Sequence, residues 1–101
     1  MTHRFHPEAQ CEFREDALFY ESRMQGLGRQ FSDAIRDAIA AIVEDPQRWA
    51  LFEAETRRFV LRRFPYAIIY LAERDTVFIV AVMHCSREPG YWRERTDLAD
   101  S

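Results

Sequence analysis

The spacing of apolar residues changes along this chain, and each change marks a new element. Ala9, Phe13, Ala17, Tyr20 and Met24 recur every three or four residues, which places them on one face of a helix. Pro7 precedes them, where the first helical turn has no use for the missing N–H. Gly26 and Gly28 flank Leu27 and supply the backbone freedom to stop one helix and start another. Leu27, Phe31, Ala34, Ile35, Ala38, Ile39 and Ile42 then make one continuous stripe. Arg29, Asp33, Arg36, Asp37 and Glu44 lie mostly off it, and Pro46 ends it. The short connection predicts an antiparallel helical hairpin over about 7–45. Neither helix has a second apolar face, so both must rest on another layer.

That layer is predicted to be a sheet. Arg4 and Phe5 read as the end of a short strand before the hairpin. Thr56 to Arg63 alternate imperfectly between arginine and apolar residues, and Phe64-Pro65-Tyr66 makes a bend. Ala67 to Leu71 is rich in strand formers, and Glu73-Arg74-Asp75 is a tight polar turn. Thr76 to Met83 is nearly all apolar, as in a central strand buried on both faces. The expected architecture is α+β in two layers, in the order β-α-α-β-β-β. An antiparallel meander spans about 56–84, and a C-terminal segment at 85–101 holds a short helix near Tyr91 to Arg95. Ile35, Ile39 and Ile42 should meet Ile69 and Ile79 across the layers. A chain of 101 residues suits one domain, here 1–101.

Composition narrows the function. Hydrophobic residues are 48% and charged residues 31%, ordinary values for a soluble globular protein. No apolar run approaches the roughly 18 residues of a membrane span. The start, MTHRFHPEAQ, lacks an apolar signal core, so a cytoplasmic protein with no membrane partner is expected. Cys11 and Cys85 are then reduced thiols. They and the three histidines form no metal-ligand spacing, and no cofactor is implied. Net charge is −3, and all fourteen basic residues are arginine. A phosphate-binding domain normally carries a basic excess. Arginine without lysine suits planar, bidentate or stacking contacts, and genome base composition explains it equally well.

Ordered short motifs carry a more specific signal. They are Phe5-His6-Pro7-Glu8-Ala9, Gly26-Leu27-Gly28-Arg29-Gln30-Phe31, and Asp45-Pro46 with Trp49. Then come Arg62-Arg63-Phe64-Pro65-Tyr66, Ala81-Val82-Met83-His84, and Arg87-Glu88-Pro89-Gly90-Tyr91-Trp92. In this order the chain resembles the RelE/ParE family of type II toxins over roughly His6 to Arg95. The resemblance implies a ParE-like toxin of a plasmid-stabilisation type, held inactive by a cognate antitoxin. That antitoxin would be ParD-like, with a ribbon-helix-helix start, and would dock along the hairpin and sheet. Leu18, Phe19, Trp49, Leu51 and Phe52 are the antitoxin-binding candidates, since the apolar stripes do not absorb them all. Packing within the domain, or scattered exposure, accounts for them equally.

Two branches of the family use the scaffold differently. The ParE-like branch inhibits DNA gyrase without chemistry of its own. Its candidate target-binding residues here are Arg87, Tyr91, Trp92 and Arg95, of the types enriched at interface centres. The RelE-like branch cleaves messenger RNA on the ribosome, which needs a base, an acid and phosphate-binding cations. For that chemistry the candidates are Arg62, His84, Arg87 and Tyr91, with Glu55 as base if its loop reaches them. His84 ends an apolar strand, where histidine is often a structural hydrogen-bonder. Trp92 is also expected to pack down on the sheet, and Arg93 and Arg95 to pair with Glu88 or Glu94 or remain solvated. The acidic balance favours the gyrase reading, with no catalytic residue assigned. A third reading is a non-toxic relative that binds its antitoxin and represses transcription with it.

Overall fold

A computed structural model describes residues 2–100, the side chains of 98–100 excepted. Residues 1 and 101 of the expected domain lie outside the described residues. The elements are β1 (Thr2–Phe5), α1 (Pro7–Arg23), α2 (Leu27–Glu44), β2 (Arg57–Val60), β3 (Tyr66–Ala72), β4 (Thr76–His84) and a 3-10 segment (Arg93–Asp100). The fold is α+β, in the expected β-α-α-β-β-β order. The sheet runs β1-β4-β3-β2. β2, β3 and β4 form the antiparallel meander. β1 adds beside β4 in parallel, with Thr2 opposite Thr76 and Phe5 opposite Ile79. Short-range patterning carries no sign of that parallel pair, because its partners lie more than seventy residues apart.

The helical hairpin covers one face of the sheet. Phe31, Ile35, Ile39 and Ile42 pack there with Ile68, Tyr70, Val77 and Ile79. Phe31 is the hub, with ring centroids of Tyr20, Phe64 and Tyr66 at 5.1, 5.3 and 4.8 Å. Ile79 meets the α2 isoleucines as expected. Ile69 instead lies on the opposite face with Phe78, Val80, Ala81 and Trp92. β4 is buried from Val77 to Val82 and carries one extra residue at Val80, since Ile69 faces Ala81 while Tyr70 faces Ile79. This bulge puts Val80 and Ala81 together on the second face and shifts the alternation.

Three local expectations need correction. Met24 stands beyond α1 in extended backbone and is exposed, so it leaves the helical stripe. Gly26 does break the hairpin, in left-handed backbone at φ 86°. Gly28 lies inside α2, where a Cβ would stand 2.5 Å from the Ala17 carbonyl oxygen. Its role is close helix approach, not chain flexibility. The Glu21 carboxylate reaches across from α1 and accepts the N–H groups of Gly26 and Gly28, capping an α2 start that has no side-chain cap of its own. The C-terminal helix begins at Arg93 and is 3-10, later than the expected Tyr91 start.

His6 caps α1: its Nδ1 accepts the Glu8 N–H at 3.0 Å, while its backbone N–H donates to Ile79 O at 2.9 Å. Burial, and then the Arg95 charge, hold His6 below its ordinary value of 6.5. A depressed folded value gives stability that is complete above the usual histidine range and is lost as pH falls through the lowered value. The urea midpoint should therefore drop on acidification through that window. His6→Asn keeps a capping acceptor and should flatten the drop. An unchanged acid slope in the variant would exclude His6 as its source.

Candidate functional site

β1 ends opposite Ile79, so the outer edge of β4 runs on without a strand beside it. Side chains replace that strand. Glu12 of α1 accepts from Val82 N through Oε1 at 3.0 Å. Arg95 donates through Nη1 to Val80 O at 3.1 Å. The two residues also pair with each other at 3.0 Å through both arginine Nη groups, and the Tyr91 hydroxyl donates to Glu12 Oε2 at 2.6 Å. Burial and this bond push the Tyr91 phenol well above its ordinary value. Glu12 and Arg95 are thus an edge seal around the bulge, of the kind sheets use against unwanted pairing.

This arrangement redistributes the target-binding candidates. Trp92 is fully buried in the second-face core, and Arg95 is committed to Glu12. Neither belongs to an open face. Arg87 is exposed and lies 3.9 Å from the Tyr91 ring centroid, so these two remain available together. Arg93 pairs with Glu53 through Nη2 at 3.0 Å, and the Phe52 ring lies 6.2 Å from that of Trp92. The ion pairs of Arg93 and Arg95 therefore reach distant segments, and neither is with the neighbouring Glu88 or Glu94.

Of the residues suggested for RNA cleavage, His84, Arg87 and Tyr91 lie near one another, with the Arg87 backbone N–H donating to His84 O at 3.0 Å and its guanidinium on the Tyr91 ring, while Glu55 stands apart. His84 sits at the end of β4 opposite Tyr66, its ring 5.1 Å from that of Tyr66. Its Nδ1 accepts the Ser86 N–H at 3.0 Å, the structural role open to a strand-end histidine. Glu55 lies by Leu71 and Ala72, at the other end of β3. Seven strand residues separate those ends, about 20 Å at the usual rise. Arg62 lines a groove beside α2, and the Tyr91 hydroxyl is taken by Glu12. Asp16 is the carboxylate near His84. Burial pushes it up, while the Tyr66 hydroxyl and, more weakly, His84 pull it back.

The groove lies between α2 and the β2–β3 connection and encloses about 730 Å³. Ala34, Ala38, Trp49, Phe59 and Leu61 make its floor. Leu51, Phe52 and Val60 are exposed just beside it. Leu18 and Phe19 are exposed too, but at the end of α1. The five antitoxin candidates thus fall in two places, with Trp49 half-buried against Phe59 at 4.8 Å.

The chain matches the family described as "ParE toxin of type II toxin-antitoxin system, parDE" over residues 4–89. The chain belongs to the ParE toxin family. Among solved structures it is similar to a chain from "Chromosomal ParDE TA system from P. aeruginosa", with a TM-score of 0.62 at 13% identity. That similarity covers 83% of this chain and 95% of the other, and at such identity it speaks for the fold. No curated protein matches.

Within this ParE-family chain, sequence reading passed over Glu12, Asp16 and, Arg62 apart, the charged walls of the groove. Glu12 gave no local signal, because its partners Val82 and Arg95 are 70 and 83 residues away. Asp33 and Asp37 did carry one. They recur at helical spacing beside the small residues Ala34 and Ala38, which marks a shallow stretch of α2 with an acidic rim.

Proposed function

We propose that this ParE-family chain is a cytoplasmic toxin that inhibits DNA gyrase by binding it, and that a ParD-like antitoxin neutralises it. The observation that carries this reading is the separation of the candidate base, Glu55, from His84, Arg87 and Tyr91. Glu55 and His84 stand at opposite ends of β3, and the Tyr91 hydroxyl is held by Glu12. Proton transfer needs its groups within hydrogen-bond reach of one substrate position. Inhibition by binding needs only a stable scaffold and a complementary surface. An exposed Arg87 on a half-buried Tyr91 supplies residues of the types enriched at interface centres.

Purified gyrase should lose supercoiling activity as this protein is added, and Arg87→Ala should weaken the effect while leaving the fold intact by circular dichroism. Undisturbed supercoiling at saturating folded protein would overturn the proposal. Site-specific breaks in messenger RNA during expression would replace it with a ribosome-dependent nuclease. Normal growth without antitoxin would leave an antitoxin-binding co-repressor.

A further inference from the structure

Two opposed rows of charge border the α2 groove. Asp33 and Asp37 stand on the α2 wall, and Arg48, Arg62 and Arg63 stand on the other. These charges are not spent on one another. Asp33 meets only Arg36 of its own helix, at 3.9 Å on the exposed surface, a pair of little energetic weight. Among the described residues no ion pair forms for Asp37, Arg48, Arg62 or Arg63, and Arg63 donates instead to Gln30 Oε1 at 3.0 Å. Between the rows the floor is apolar.

An acidic wall repels phosphate, so nucleic acid is a poor occupant. Strand addition is poor too. β2 is only four residues long, Leu51 bridges Arg57 on its outer side, and the Phe52 N–H donates to Thr56 O. Little main-chain edge remains for a partner strand. A helix needs no such edge. The α2 wall from Gln30 to Ala38 covers about 12 Å at helical rise, which suits about two turns of a partner helix.

We infer that this groove selects its antitoxin by charge: the occupant is an amphipathic antitoxin helix with an apolar ridge, acidic along the flank facing Arg48, Arg62 and Arg63, and basic along the flank facing Asp33 and Asp37. The inference rests on the toxin–antitoxin reading above and names residues for it. The opposed rows act as flanking charges do in coiled coils, setting partner and direction together. A uniformly charged helix meets one matching wall and one repelling wall.

Three designed helical peptides with the same leucine ridge test this: one with glutamate on one flank and lysine on the other, one all-glutamate and one all-lysine. The mixed peptide should bind the wild-type chain about tenfold tighter than either uniform one. Asp33→Lys with Asp37→Lys should move the preference to the all-glutamate peptide. Arg62→Glu with Arg63→Glu should move it to the all-lysine peptide. All four positions are exposed, and circular dichroism checks each variant. Equal binding of the three peptides, no binding of the mixed one, or no reversal in folded variants would overturn the inference. The supercoiling assay separates the two readings. A chain that sorts peptides but spares gyrase loses only the gyrase proposal; one that inhibits gyrase without sorting loses only this inference.

Discussion

Glu12→Ala should cost about 3–5 kcal/mol of folding stability, the range for removing one partner of a buried ion pair. The loss is large because one carboxylate serves three donors. Without it the Val82 N–H, the Tyr91 hydroxyl and the Arg95 guanidinium lose their shared acceptor. Arg95 would then be a charge at 11% side-chain exposure with the Val80 carbonyl, the Tyr91 ring and an exposed Glu8, at 3.5 Å, to answer it. Glu12→Gln should cost less, because one amide oxygen still accepts from Val82. Urea denaturation measures both variants. A Glu12→Ala loss below about 1 kcal/mol would place the pair with weak surface bridges and remove its role as an edge seal.

Trp92→Ala should be comparably damaging, about 3–5 kcal/mol, as for large-to-small changes of buried aromatic residues. Trp92 is fully buried with Ile69, Phe78, Val80 and Ala81, and it anchors the C-terminal segment on a sheet face that no helix of the hairpin covers. Trp92→Phe should be milder. It keeps most of the apolar contact and removes an indole N–H that is buried without a partner. Stability is again read from urea denaturation, alongside toxicity in cells. If Trp92→Ala kept full stability and lost only toxicity, Trp92 would return to the target-binding surface.

Much of the body of this protein was legible in its sequence because it depends on local periodicity. The α2 stripe from Leu27 to Ile42 and the continuous apolar run of β4 each specify an element and its burial within a short window. What escaped depends on distant partners. The parallel seating of β1 on β4, the Val80 bulge that sends Ile69 to the second face, and the Glu12–Arg95 pair have no short-range signature. The candidate site divides the same way. Arginine, tyrosine and tryptophan near the C-terminus were identifiable by type. Burial then decided which were free, taking Trp92 into the core and Arg95 onto Glu12, and leaving Arg87 on Tyr91. Glu55 was separated from His84 by the length of β3, a distance that sequence order conceals.

The seal on β4 also bears on biosynthesis. Its carboxylate is made near the beginning of the chain and its guanidinium 83 residues later. Contacts of such long range form late, and a partly emerged chain lacks them. A nascent chain whose β4 has emerged ahead of Trp92 and Arg95 therefore carries a sheet with an open margin and a bare second face. Closure must wait until Trp92 and Arg95 have cleared the exit tunnel, so no nascent polypeptide that still holds them inside can be a finished folded body.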